Sequence, residues 1–239
     1  MKRTLLSWSS GKDSAWSLHS LRQAGEYEVV ALLTTITREY DRVSMHAVRR
    51  ELVEAQANAA GLDLWAVEIP AACTNAQYED AMRSAVRRAV EARIQCIAFG
   101  DLFLLDIREY REQKLAGSGL TAVFPLWNRA THELAAEMIA GGLRARLTCI
   151  DPRVMPRALA GADFDRAFLA SLPPEVDPCG ERGEFHTFAH AGPMFARDIP
   201  IVTGATVERD GFVFTDVVPG PARTTRDADS SARGSSPSK

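Results

Sequence analysis

The sequence predicts an α/β fold: a parallel sheet wrapped by helices on both faces, followed by a smaller α+β C-terminal part. Three observations predict it. Strand-like apolar runs alternate with helix-spaced stripes from Thr4 to Ile150. Residues 29–36 form a continuous apolar and β-branched run, the pattern of a strand buried on both faces. Beyond Asp151 the alternation stops, Pro173-Pro174 breaks the chain, and short strands and turns follow.

Residues 4–9 read as the first strand. Residues 14–24 read as a helix with Ala15, Leu18 and Leu21 on one stripe and Gly25 as its stop. The strand at 29–36 precedes a helix over 45–60, where Val48, Leu52, Ala55 and Ala59 recur at helical spacing before Gly61. A third strand at 64–69 closes on Pro70, and a helix over 77–93 carries Met82, Val86 and Val90. A fourth strand at 94–99 runs directly into Gly100-Asp101. A helix at 107–116, a strand at 121–124 and a helix at 131–140 follow, the last with a Thr cap and a Gly141-Gly142 stop. Residues 145–150 complete the pattern as a sixth strand. Further on, a helix is expected at 163–172 and a hairpin turned by Asp210-Gly211. The expected organisation is a first domain at 1–150, a smaller one at 151–220 and a disordered tail at 221–239 with almost nothing apolar.

The 239 residues are 46% hydrophobic and 25% charged, which suits a soluble globular protein with a substantial core. The net charge of −3 supplies no global field for nucleic acid or anionic membrane, so neither is an expected partner. The N-terminal apolar stretch ends too soon for a signal peptide, and no run is long enough to span a bilayer. Cys73, Cys96, Cys149 and Cys179 are scattered, as expected of free thiols in a reducing, cytoplasmic compartment.

The strongest chemical signal is the segment Ser9-Ser10-Gly11-Lys12-Asp13-Ser14, which joins the first strand to the first helix. Small residues let the backbone turn tightly, so that several N–H groups can face one concavity. The helix N-terminus adds unpaired donors and the positive end of its dipole. Hydroxyls of Ser9, Ser10 and Ser14 and a mobile charge on Lys12 suit a polyphosphate. A Walker A loop is excluded, because Leu6 stands where its first Gly belongs and Asp13 where Ser or Thr must follow the Lys. Ligands of such sheets bind beyond the carboxyl ends of the strands, where this loop and Gly100-Asp101 both lie.

This loop resembles the S-G-G-K-D-S pyrophosphate loop of the adenine nucleotide α-hydrolase-like superfamily, the PP-loop or N-type ATP pyrophosphatases. Three more segments resemble diphthine–ammonia ligase and its relatives: Met45-His46, Phe99-Gly100-Asp101 running on to Pro125-Leu126-Trp127, and residues 179–187, similar to a G-E-x-G-E-x-x-T signature. The resemblance spans about residues 3–218 and implies a Rossmann-like (HUP-type) sheet with a PP-loop ATP-binding domain at 1–150 and a substrate-side domain at 151–220. One departure concerns Ser10, where the family has Gly. Serine fits there only if the backbone angle φ is not positive.

The resemblance implies ATP and Mg²⁺ as cofactors, and adenylation of a carboxylate followed by amidation with ammonia. It places Ser9, Ser10, Gly11, Lys12, Asp13, Ser14, His46, Gly100 and Asp101 around the nucleotide, with Asp13 and Asp101 as Mg²⁺ ligands. It makes Lys12, Asp13, Glu181 and Glu184 the catalytic set, the two glutamates at the mouth of the site. The acceptor is elongation factor two if the source is archaeal or eukaryotic, and otherwise a small-molecule carboxylate such as a corrinoid fragment in cofactor salvage. A homo-oligomer is compatible with this reading. The competing readings are an RNA-modifying PP-loop enzyme, disfavoured by the missing basic appendage, and a non-catalytic adenine-nucleotide sensor. His186 and His190 fall on a strand-like stretch, which argues against a helical metal pair. Cys179 reads as an inert thiol.

Overall fold

The computed structural model describes residues 1–44 and 46–221, so Met45 and nearly all of the expected tail at 221–239 lie outside the described residues. The fold is mixed α/β, as predicted. β1 (Lys2–Ser7) leads through the Ser-rich loop into α1 (Lys12–Ala24), which stops at Gly25 with φ 68°. β2 (Tyr27–Thr37) and a short antiparallel partner β3 (Arg42–Val43) precede α2 (Arg50–Ala60). β4 (Asp63–Ile69) and α3 (Asn75–Glu91) follow, the helix opened by a capping box between Thr74 and Gln77. β5 (Cys96–Ala98), α4 (Leu105–Leu115) and β6 (Thr121–Val123) complete a parallel sheet in the order β4-β2-β1-β5-β6. The order reverses between β1 and β5. The Ser-rich loop after β1 and Gly100-Asp101 after β5 therefore flank the crevice where such sheets bind ligands.

Alternation along the strands makes the two faces. Leu5, Ala31, Leu33 and Ile97 point to one side, under α3 and α4. Leu6, Leu32 and Ala98 point to the other and pack with α1, α2 and α5 (Thr131–Ala140). That second core continues without a break into the C-terminal part through Leu147, Phe185, Phe188 and Val213.

Three expectations are corrected. Residues 145–150, expected as a sixth parallel strand, form β7 (Arg144–Ile150) of a separate antiparallel sheet. Its order is β8-β7-β10-β9, after α6 (Arg166–Ser171), with β8 (Phe185–Ala191), β9 (Ile201–Arg209) and β10 (Phe212–Pro219). The run in β7 is apolar enough for either sheet, and strands much later in the chain claim it. The helix expected from 45 starts at Arg50, because β3 and an isolated bridge between Arg42 and Arg49 hold the preceding residues in a hairpin. Thr131 is inside α5 rather than its cap, and its hydroxyl donates to Asp177 at 2.6 Å. The Asp210-Gly211 hairpin forms as expected, with both residues at positive φ. Among the described residues no helix is long and apolar enough to cross a membrane, and all four cysteines are free.

Candidate nucleotide site

The loop from Ser9 to Ser14 is tied internally and to β8. Ser9 Oγ donates to Ser14 Oγ at 3.2 Å, Ser14 Oγ donates to the Gly11 carbonyl at 3.0 Å, and the Lys12 amide donates to Thr187 Oγ1 at 3.1 Å. Gly11 is extended rather than left-handed, and a Cβ there would meet the Thr187 carbonyl at 3.2 Å. Gly100 backs against the first turn of α1, where a Cβ would lie 3.2 Å from the Ser14 amide. Glycine at 100 is thus a matter of close approach between β5 and the helix that starts at the loop.

Ser10 departs from expectation. Its φ is 70°, so the backbone is left-handed at this serine, a conformation costing a non-glycine residue roughly 1–2 kcal/mol. Ser10 is fully buried and lines neither of the two cavities that meet at this loop, and its hydroxyl has no partner among the described residues. The placement of this hydroxyl gives no support to the expected phosphate contact. Ser10→Gly relieves the strain and loses part of the gain to a freer unfolded chain. The expected result is a gain of about 0.5–1 kcal/mol in thermal unfolding. A lowered midpoint would mean that burying the hydroxyl contributes more than the strain costs.

Lys12 is not the mobile cation anticipated. It is 2% exposed, its Nζ contacts both Asp13 oxygens at 3.0 and 2.8 Å, and it donates to the Cys179 carbonyl. The ammonium also lies over the rings of Phe164 and Phe185 at 5.6 and 5.3 Å. Burial alone would lower its pKa, but Asp13 and the acids around it outweigh that, so Lys12 holds its proton above the ordinary lysine range. Burial pushes the Asp13 carboxyl up, against the opposing pull of Lys12. Cys179 is buried and its thiol is pushed up to about 12, mainly by burial, so it is inert as a nucleophile.

Two cavities meet at this loop. The larger, about 690 Å³, is lined by Ser9, Gly11, Lys12, Asp13 and Ser14 together with Gly100, Asp101 and Glu181. The smaller, about 310 Å³, lies beside it and is largely apolar, with Trp8, Leu33, Met82, Val86, Ile97 and Phe99 in its walls. Ser7, Ser9, His46, Phe99 and Arg111 belong to both. The smaller one carries two buried polar atoms without a partner among the described residues, Thr34 Oγ1 and His46 Nδ1. His46 packs against His186 with ring centroids 4.3 Å apart and the rings tilted by 45°. Burial holds both imidazoles neutral, His186 near 4 and His46 well below the usual histidine range, with nearby Lys12 adding to the effect. His186 and His190 lie on a strand, as expected.

The two glutamates of residues 179–187 separate. Glu181 lines the larger cavity and accepts from the amides of Leu102 at 2.7 Å and Phe103 at 3.4 Å. Its pKa is raised to about 7, first by burial and then by the charges of Asp13 and Asp101, against the pull of the Leu102 amide. Glu184 is absent from that lining, which corrects its expected place at the mouth. It is buried, with Oε1 accepting from the Asp177 amide at 3.0 Å and Oε2 from the Arg182 amide at 2.9 Å. Glu184 therefore closes its own loop. Glu184→Ala is expected to cost about 2 kcal/mol in urea unfolding, because two buried amides lose their acceptor. Unchanged stability with lost turnover would return Glu184 to the chemistry.

Asp101 pairs with Arg111 Nε at 3.3 Å, a partner the sequence did not suggest. Asp13, Asp101 and Glu181 line the same cavity, but among the described residues no group of three acids, histidines or cysteines is close enough to hold a metal ion. Asp13 and Asp101 are hard oxygen donors of the kind Mg²⁺ takes, one or two carboxylates alongside phosphate oxygens. Sequence reasoning did not find Arg111 or Gln56 in the loop's surroundings. Each reaches the loop or its neighbours through long-range packing rather than through a local motif.

The family described as diphthamide synthase N-terminal domain matches residues 1–121, more than half of the chain. The chain belongs to this family. Within it, a diphthine–ammonia ligase from Schizosaccharomyces pombe is 24% identical over 220 residues, covering 84% of this chain and 36% of that protein. The chain thus spans about a third of that relative's length. Among solved structures, the U34-tRNA thiolase NcsA from Methanococcus maripaludis with its [4Fe-4S] cluster aligns over 58% of this chain and 57% of its own, at 14% identity and a TM-score of 0.39.

Proposed function

We propose that this chain is an ATP-dependent amide ligase that adenylates a carboxylate, releases pyrophosphate and then admits ammonia. One observation carries the reading. A largely apolar cavity with orphaned polar atoms at Thr34 and His46 adjoins a second cavity lined by the Ser-rich loop and several charged side chains, and the two share wall residues. An adenine ring suits the first and a triphosphate suits the second. Family membership and the diphthine–ammonia ligase relative agree with it.

In this reading the acceptor carboxylate attacks the α phosphorus, and the bond to the β phosphate oxygen breaks. The amides at the start of α1 and the fixed ammonium of Lys12 stabilise the departing pyrophosphate. Ammonia then attacks the acyl carbon, the bond to AMP breaks, and a proton passes from nitrogen to Glu181. A carboxylate with a pKa of about 7 is well matched to that transfer near neutral pH. Asp13 and Asp101 would hold Mg²⁺, which neutralises phosphate charge when bound. The parallel sheet and its helices supply the nucleotide half, and the antiparallel sheet that begins with β7 supplies the acceptor side, through the loop that carries Glu181.

The test is incubation of the full chain with Mg²⁺-ATP, ammonium and a panel of carboxylates. Equal amounts of AMP and pyrophosphate, dependent on an acceptor, are expected. ADP would replace the reading with a kinase-like one, and binding without turnover with a sensor.

A further inference from the structure

Gln56 sits on α2 with no exposed surface, one turn after Leu52 and beside Val53 and Ala57. The helical spacing calls for an apolar side chain here. A buried amide is costly unless its groups are paired, and this one is paired throughout. Its Oε1 accepts from Trp8 Nε1 at 2.8 Å. Its Nε2 donates to the Ser10 carbonyl at 2.9 Å and to the Ala189 carbonyl at 2.7 Å. The Ser10 carbonyl accepts a second bond from the Ala189 amide at 2.9 Å. Both lone pairs of that carbonyl are therefore occupied, one from α2 and one from β8.

Ser10 is the residue of the loop with a left-handed backbone and a side chain that resists it. Rotating Ser10 towards an ordinary conformation would swing its carbonyl away from both donors. We propose that Gln56 is a positioning residue: it holds Ser10 left-handed and so sets the shape of the phosphate-binding loop, in a chain whose loop lacks the glycine that would adopt that shape unaided. Trp8, which walls the apolar cavity, is joined to the loop through the same amide. The proposal rests on the nucleotide reading for its functional meaning, but its structural core does not.

The experiment is a cycle of Gln56→Leu, Ser10→Gly and the double variant in the full chain. Three readouts are taken: the Trp8 indole N–H resonance, the thermal midpoint, and calorimetric affinity for inorganic pyrophosphate with Mg²⁺. Gln56→Leu is expected to shift the Trp8 resonance and to weaken pyrophosphate binding about tenfold, the equivalent of one well-made buried hydrogen bond. In the Ser10→Gly background the loss should shrink to about twofold, because glycine needs no restraint there. Equal losses in both backgrounds would overturn the proposal. So would a lowered midpoint with wild-type pyrophosphate binding, which would reduce Gln56 to a packing role. If Gln56→Leu does not fold, Gln56→Glu keeps an acceptor for Trp8 and enters the same cycle with the same expectation. If the unaltered chain does not bind pyrophosphate, the nucleotide reading fails. The thermal midpoints then decide the proposal: rescue by Ser10→Gly supports it and additivity overturns it.

Discussion

Glu181→Gln is expected to slow amide formation about 100-fold or more at pH 8 while leaving ATP affinity within a factor of about three. The carboxylate lines the larger cavity, as Asp13 and Asp101 do, and is not among the lining residues of the apolar one. Its pKa of about 7 also dictates a pH profile. The basic form is lost as pH falls through 7, so the unaltered enzyme should lose about tenfold in rate per pH unit below that point. The sign for stability is opposite. A carboxylate whose folded pKa is raised binds protons more tightly when folded, so its contribution is fully present below the unfolded value of about 4.3 and is lost as pH rises through 7. Glu181→Gln should flatten that part of the stability curve. An unchanged rate with an unchanged pH profile would remove Glu181 from the chemistry.

Lys12→Met should have the second large effect, and on two readouts at once. It removes the ammonium between the Asp13 carboxylate, the Cys179 carbonyl and two aromatic rings. Lys12 is buried but the Asp13 side chain is 27% exposed, so removing the ammonium strands a partly solvated charge, for a loss of about 1–2 kcal/mol in unfolding free energy. AMP formation should fall at least about tenfold through loss of charge on the departing pyrophosphate. Adding Asp13→Asn should restore much of the stability and none of the turnover, which separates the two roles. A single variant that turns over at the original rate would show that the loop amides suffice.

The parallel half was legible in the sequence because its signals are local. Alternating periods, Gly25 and Gly61 as stops, and the Gly100-Asp101 step each depend on neighbours within a turn or two. β7 was misread because an apolar run does not record which sheet will claim it. The loop was found from its residue types, but whether Ser10 could take part depended on one angle that composition does not encode. The two glutamates of the G-E-x-G-E stretch are equivalent as letters. They part because one faces the cavity while the other meets the amides of Asp177 and Arg182. Gln56 was missed for a related reason: it meets the loop from 46 residues away.

The union of β8 with the Ser-rich loop has a practical corollary for anyone dissecting this protein. A fragment truncated ahead of β7 would retain every letter of the pyrophosphate signature, yet Lys12 would lose the Cys179 oxygen, its amide the Thr187 hydroxyl, and Gln56 one of its acceptors. Such a fragment should be inert towards nucleotides even if it stayed compact. A chimaera that swaps in a foreign C-terminal half would have to restore these three contacts before the loop could hold its shape.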